Sequence, residues 1–205
     1  MEIILYELGP TRSARCRWAL LEAGLEFESR GNSAEIFDGE ELEKVHPLRK
    51  LPAAVIDGKP LFESAAICTT IADLAPERNL IGKPGTWARA LHNQWTLFVL
   101  TELESWLWST DLNTDKEGFL MPLEEQLPDI VNQNRKLAER SAAVLDAHLA
   151  QTDYLVEHQF TVTDIISGYT VSWLDELGWI DGFSNLEAYL NRLREREHCT
   201  LVPHT

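Results

Sequence analysis

Cysteine is scarce in this chain, with Cys16, Cys68 and Cys199 the only three among 205 residues. The number is odd and the spacings are wide. No Cys-x-x-Cys pair and no Cys/His ligand cluster occurs. A disulfide framework and a zinc site are both disfavoured, and reduced thiols in a cytosol are the expectation. Long hydrophobic runs are also missing: none approaches the roughly 18 apolar residues that span a bilayer. The opening stretch, Met1 to Leu8, carries Glu2 and Glu7 without a basic segment and does not read as a signal peptide. Basic side chains are outnumbered, 18 Lys and Arg against 33 Asp and Glu, for a formal net charge of −15. Residues 1–77 hold 8 basic and 14 acidic side chains, and the rest hold 10 and 19. Both halves repel polyanions, so nucleic acid and anionic membrane surfaces are poor partners. No internal repeat or low-complexity stretch is present. The histidines, His46 included, show no metal-binding spacing, and no metal site is expected.

What is there reads as two unlike halves. Ile3 to Tyr6 form a short buried strand. Ala14, Trp18, Leu21 and Leu25 recur at helical spacing, and Gly24 is a stop signal. Glu26-Phe27-Glu28 alternates like a second strand, and residues 39–45 suggest a short polar helix. This strand–helix–strand order argues for a βαβ unit with parallel strands. Asp57-Gly58 between Leu51–Ile56 and Lys59–Phe62 signals a hairpin. Ser64 opens a further helix, which Pro76 ends. Strand signals then stop, and residues 77–86 read as a linker rich in Gly, Pro and charge. Beyond it lie only helices. Trp87, Leu91, Trp95 and Phe98 mark a long one. A second is expected from about Pro122 to Leu149. Thr161 and Asp164 pattern a third as a capping box, with Phe160 and Ile165 as its hydrophobic staple. A last helix covers residues 185–195. The expected fold class is therefore α/β over residues 1–76, in the order βαβαββα, followed by an all-α domain over residues 87–205.

Three segments resemble the cytosolic glutathione transferases. They are Leu5-Tyr6 through Thr11-Arg12-Ser13-Ala14-Arg15 with Trp18 and Gly24; His46 through Pro52 leading to Leu61-Phe62-Glu63-Ser64; and Thr161-Val162-Thr163-Asp164. The resemblance covers nearly the whole chain. It implies a thioredoxin-like front half, a glutathione site built almost wholly from that half, a hydrophobic co-substrate site between the halves, and a homodimer in the cytoplasm. Glutathione is the implied co-substrate.

The loop from strand to helix at Thr11–Arg15 gathers backbone N–H groups and the positive end of a helix dipole, which favours a thiolate. In the family's serine-type pattern a hydroxyl residue four before an Arg contacts the glutathione sulfur, and Thr11 with Arg15 has that spacing. Threonine departs from serine, and its branched Cβ narrows the directions of its hydroxyl. Ser13 is the substitute. The competing reading is that Thr11 and Ser13 cap the helix, while Tyr6 packs in the core. Arg12, Arg15 and Arg17 crowd the same helix start against the dipole. Either they attract an anionic ligand, glutathione with its two carboxylates, for which Arg12 is the candidate binding residue, or they pair with acids elsewhere. The resemblance further implies a cis Leu51–Pro52 bond, with Leu51 meeting the cysteinyl backbone of glutathione and Lys50 its glycyl carboxylate. Arg49 stands where many relatives have glycine. Glu63 and Ser64 suit the γ-glutamyl end, which bears an amine and a carboxylate. The alternative is an N-cap serine preceded by a solvated acid. In the back half, Thr101, Ser105 and Trp108 share a helix face and are candidates for the hydrophobic pocket; a core or dimer role competes for each. Asp164 reads as structural.

Three functions compete: conjugation of glutathione to a small hydrophobic electrophile, a glutathione-dependent disulfide reductase or peroxidase, and a binding protein of the same fold without turnover.

Overall fold

The structure, a computed structural model, describes residues 1–201. Its front half is a four-stranded sheet in the order β2-β1-β3-β4. The strands are β1 (Ile3–Glu7), β2 (Glu28–Gly31), β3 (Ala53–Ile56) and β4 (Lys59–Phe62), interleaved with helices α1 (Ser13–Ala23), α2 (Glu41–Val45) and α3 (Ser64–Leu74). β1 runs parallel to β2 and antiparallel to β3, and β3 pairs antiparallel with β4. This is the expected βαβαββα order, and the first two strands are parallel as expected.

All five residues of β1 are buried. Successive side chains leave a strand on opposite faces, and here both faces are covered. Ile3 and Leu5 join the main core with Trp18, Leu20, Ile67 and Ile71 from α1 and α3. Ile4 and Tyr6 join a smaller cluster with Leu42 and Val45 of α2. Asp57 and Gly58 take φ of 46° and 77°, the two left-handed positions a tight two-residue hairpin requires. Gly24 closes α1 at φ 66°, donating its N–H to the carbonyls of Leu20 and Leu21, as its position in the sequence predicts.

Two boundaries differ from the sequence reading. The second strand begins at Glu28 rather than Glu26. It is an edge strand paired only with β1, so its register follows Ile4↔Glu28 through Glu7↔Gly31 and not its own alternation. The long amphipathic helix α6 (Val131–Leu149) starts well after Pro122. Short 3-10 turns at Leu123–Glu125 and Pro128–Ile130 precede it. Each proline lacks an N–H and disfavours helix in the residue before it.

The back half begins with α4 (Trp87–Phe98), passes through a π-helical segment at Val99–Glu104, and continues as α5 (Ser105–Leu112). After α6 come α7 (Val162–Glu176) and α8 (Ser184–Arg194). α7 is the central rod, with all but a few residues buried. Its start is the predicted capping box: Thr161 Oγ1 accepts from Thr163 N at 3.2 Å, and Asp164 Oδ2 accepts from Thr161 N at 2.8 Å. Asp164 Oδ1 also accepts from Leu155 N at 2.9 Å and from Tyr189 Oη at 3.0 Å. Asp164 is therefore structural. No helix among the described residues is long and apolar enough to cross a membrane.

Candidate functional site

The loop between β1 and α1 is tied by its own hydroxyls. Thr11 Oγ1 faces the Leu8 carbonyl, to which it donates, and lies 2.9 Å from Ser13 Oγ. It also accepts from Ser13 N at 3.2 Å, while Ser13 Oγ accepts from Leu8 N at 3.3 Å. Neither side chain makes a cap bond at the N-cap position of α1, which is Arg12. Thr11 is half-buried, whereas Ser13 is 1% exposed. Of the two, Thr11 has the access that a ligand sulfur needs. Gly9–Pro10 in this loop is cis, a feature not expected from the sequence; Leu51–Pro52 is cis as expected.

The three arginines turn out to be paired. Arg17 forks onto Glu7, with Nε to Oε2 at 2.8 Å. Arg15 is fully buried. Its Nη2 pairs with Glu104 Oε2 and donates to Thr170 Oγ1 at 2.7 Å. Its Nε donates to the Ile166 carbonyl at 3.0 Å, and its Nη1 to Ser64 Oγ at 3.2 Å. Arg12 gives Nε to the other oxygen of Glu104 at 2.6 Å. The dipole penalty at the α1 start is thus offset by carboxylates from the strand beneath and from the back half. Glu104 stands in the π-helical segment, where such irregular turns often mark functional sites. Burial works to raise its pKa, but Arg15, Arg12 and the Thr170 hydroxyl outweigh burial and hold it at about 2. Arg15 stays cationic against its own burial for the same reason.

Ser64 is the first residue of α3, and the N-cap position is Glu63, whose side chain makes no cap bond. The reading of Ser64 as an N-cap serine is therefore corrected. Its hydroxyl oxygen accepts from Arg15 Nη1, which leaves its own proton to donate elsewhere. Glu63 holds φ 73°, ψ 114°. For a non-glycine residue this costs about 1–3 kcal/mol, the kind of strain found at ligand clamps. Pro52 is buried and Leu51 half-buried, while Lys50 and Glu63 are exposed beside them. Arg49, at φ 51°, caps the carbonyl of Phe37.

Trp108 meets the front half directly. Arg12 Cζ lies 4.8 Å from its ring centroid and 5.1 Å from that of Trp173, and Lys50 Nζ lies 5.9 Å from Trp108. Thr101 and Ser105 behave differently. Their hydroxyls return to carbonyls of their own helix, Leu97 and Thr101, at 2.9 and 2.6 Å. The structure thus brings Arg12, Ser64, Lys50 and Trp108 into one cluster around Glu104 and Arg15, and leaves Thr101 and Ser105 outside that network. Glu104, Trp173 and Thr170 were missed from the sequence. The signal for Glu104 was an acid between Leu103 and Leu107, four residues before Trp108 on a helical face.

Cys16 and Cys68 are buried, and burial pushes the Cys16 thiol well up. Cys16 is thus ill suited to act as a nucleophile. Among the described residues no group of three or more His, Cys, Asp or Glu could hold a metal ion.

A thioredoxin-like sheet domain packed on a helical domain, with a hydroxyl-lined loop at their junction, defines the class. Residues 1–73 match the model for the glutathione S-transferase N-terminal domain. Glutathione S-transferase GST-4.5 of Xanthomonas campestris is 27% identical over 181 residues, spanning 86% of this chain and 83% of its own. A glutathione transferase from Methylococcus capsulatus superposes with a TM-score of 0.84 at 24% identity, over 96% of this chain and 95% of that one. A sphingomonad glutathione S-transferase solved with glutathione superposes at 0.81 with 23% identity, over 96% and 94%.

Proposed function

We propose that the chain binds glutathione in its front half and joins it, through its thiolate sulfur, to a small hydrophobic electrophile held between the halves. The observation that carries this reading is the state of Ser64. Its oxygen accepts from Arg15 Nη1 at 3.2 Å, which leaves its own proton as a donor that a carboxylate could take. The free N–H groups of the α3 start add to that donor set. Glu63, strained and exposed beside it, offers a negative charge to an amine. These groups fit the γ-glutamyl end of glutathione. The Leu51 backbone is assigned the cysteinyl part and Lys50 the glycyl carboxylate. Thr11, or Ser13 in its place, faces the sulfur. That a sphingomonad relative was solved with glutathione supports the choice of ligand.

The front-half unit is taken as residues 1–76 and the helical unit as residues 87–205, in the cytoplasm. A homodimer is proposed on the exposed Phe62, Trp87 and Leu97 of β4 and α4, which are 41%, 72% and 62% exposed. Sedimentation of a monomer at micromolar concentration would count against it.

The test of function is retention on immobilised glutathione, followed by assays with a generic aryl halide and with a small disulfide. Retention with aryl halide turnover supports the proposal. Turnover of the disulfide alone favours the reductase reading, for which glutathione must supply the thiols because no Cys-x-x-Cys is present. Retention without either leaves a binding protein.

A further inference from the structure

Arg12 sits where the start of α1 meets the back half, with more holding it than its ion pair requires. Its guanidinium lies between two indoles, 4.8 Å from the Trp108 centroid and 5.1 Å from that of Trp173, whose rings stand edge to face at 6.4 Å. Only Nε is given to Glu104, at 2.6 Å. Among the described residues, neither Nη group takes a hydrogen-bond partner. The side chain is 29% exposed. Glu104 divides its single charge between Arg12 and the fully buried Arg15. The carboxyl of Asp111 also lies within reach of the Arg12 charge, which favours its ionised form against burial. Lys50 places a second cation 5.9 Å from the same Trp108 ring. A guanidinium fork is pre-organised for carboxylate when its orientation is fixed, and here two aromatic faces and one carboxylate fix it. In a chain of net charge −15, Arg12 and Lys50 are two cations on one aromatic wall, faced by the carboxylates of Glu104 and Asp111.

We infer that the electrophile side of the site takes planar aromatic substrates carrying an anionic group, with Trp108 as the stacking surface and Arg12 as the partner of the anion. This rests on the glutathione-transfer reading and names its co-substrate class. Arg12 is then a specificity-determining residue. A neutral aryl electrophile gains only the stacking on Trp108, whereas an anionic one also gains a charge-assisted bond from the Nη groups.

The test compares two glutathione conjugates, S-(2,6-dinitrophenyl)glutathione and its counterpart bearing a ring carboxylate para to sulfur, S-(4-carboxy-2,6-dinitrophenyl)glutathione. Binding to the whole chain is measured by calorimetry, after binding of glutathione alone. The carboxylate conjugate is expected to bind about tenfold more tightly at low salt, the scale of one partly exposed charge-assisted bond. The gap should shrink toward parity at about 0.5 M salt. Arg12→Gln should abolish it, and Arg12→Lys should keep part of it, with thermal melting used to verify folding. Equal affinities in the wild-type chain, or a preference that survives in Arg12→Gln, would overturn the anion site while leaving the glutathione reading intact. Failure to bind glutathione at all would overturn both. The wild-type comparison needs no variant, so a misfolded Arg12→Gln does not remove the test.

Discussion

Arg15 and Ser64, 49 residues apart, are joined by a 3.2 Å hydrogen bond from Nη1 to Oγ. The bond fills an acceptor position of the serine and leaves its proton as a donor. Ser64→Ala removes that donor and strips Arg15 of one partner. Glutathione affinity is expected to fall by about 1.5–3 kcal/mol, the scale of a hydrogen bond to a charged group. Calorimetric titration with glutathione checks it. An unchanged Kd would remove Ser64 from the site.

Glu104 ties both arginines to the back half, so its loss should register in stability. Glu104→Gln leaves Arg15 buried without a counter-charge, and about 3–5 kcal/mol of destabilisation is expected. The pH dependence follows from the folded pKa of about 2, below the ordinary value of 4.5. A depressed carboxyl contributes stability that is present above the unfolded pKa and lost as pH falls through the folded one. The loss should therefore fall between about pH 4.5 and pH 2, and amount to something on the order of 3 kcal/mol. Asp111 and Asp164, both pushed up to about 6 by burial, act with the opposite sign, but they are common to wild type and variant. Subtracting the two urea-midpoint profiles isolates Glu104. A difference that is flat below pH 4.5 would show that its ionisation does not hold the network.

Local signals in the sequence were readable because their chemistry closes within a few residues. Gly24 ends α1, Asp57-Gly58 turns the hairpin, and Thr161 with Asp164 starts α7, each satisfied by neighbours in the chain. The hidden part was the pairing of Arg12 and Arg15 with Glu104, 92 and 89 positions away. The arginine crowding was visible, but whether it was paired or open depended on a partner that only tertiary packing supplies. The late start of α6 was misjudged for a different reason. Pro122 and Pro128 each lack an N–H, and the residues before α6 close into short 3-10 turns instead of joining it.

Asp164 carries the capping box and also anchors Leu155 and Tyr189, with no exposed surface of its own. Asp164→Asn keeps one acceptor and turns an amide N–H₂ toward donors. Each donor left unmet should cost about 1–3 kcal/mol. Chemical denaturation is expected to show that loss, while the glutathione Kd of the folded fraction stays fixed. A shift in Kd would mean that α7 transmits to the site.

The last expectation concerns the sulfur. A free cysteine thiol has a pKa of about 8.5, and lowering it by two units takes roughly 2.7 kcal/mol. A hydroxyl bond to a charged sulfur supplies about 1.5–3 kcal/mol, and the start of α1 adds about 0.3–1 kcal/mol. Thr11, however, already spends its proton on the Leu8 carbonyl. Turning it toward a thiolate gives up a neutral bond worth about 0.5–1.5 kcal/mol. The net preference is then about 1 kcal/mol. Thr11→Val, which keeps the shape and removes the donor, should raise the pKa of bound glutathione by just under one unit, with glutathione still bound. It also frees Leu8 and Ser13 from their bonds to Thr11 Oγ1, so a melting curve must show that the loop survives. Thiolate absorbance followed against pH reads the shift. A pKa that stays put in Thr11→Val but rises in Ser13→Ala would move the contact to Ser13. If neither variant moves it, the backbone N–H groups at the start of α1 hold the sulfur alone, and no side-chain hydroxyl activates it.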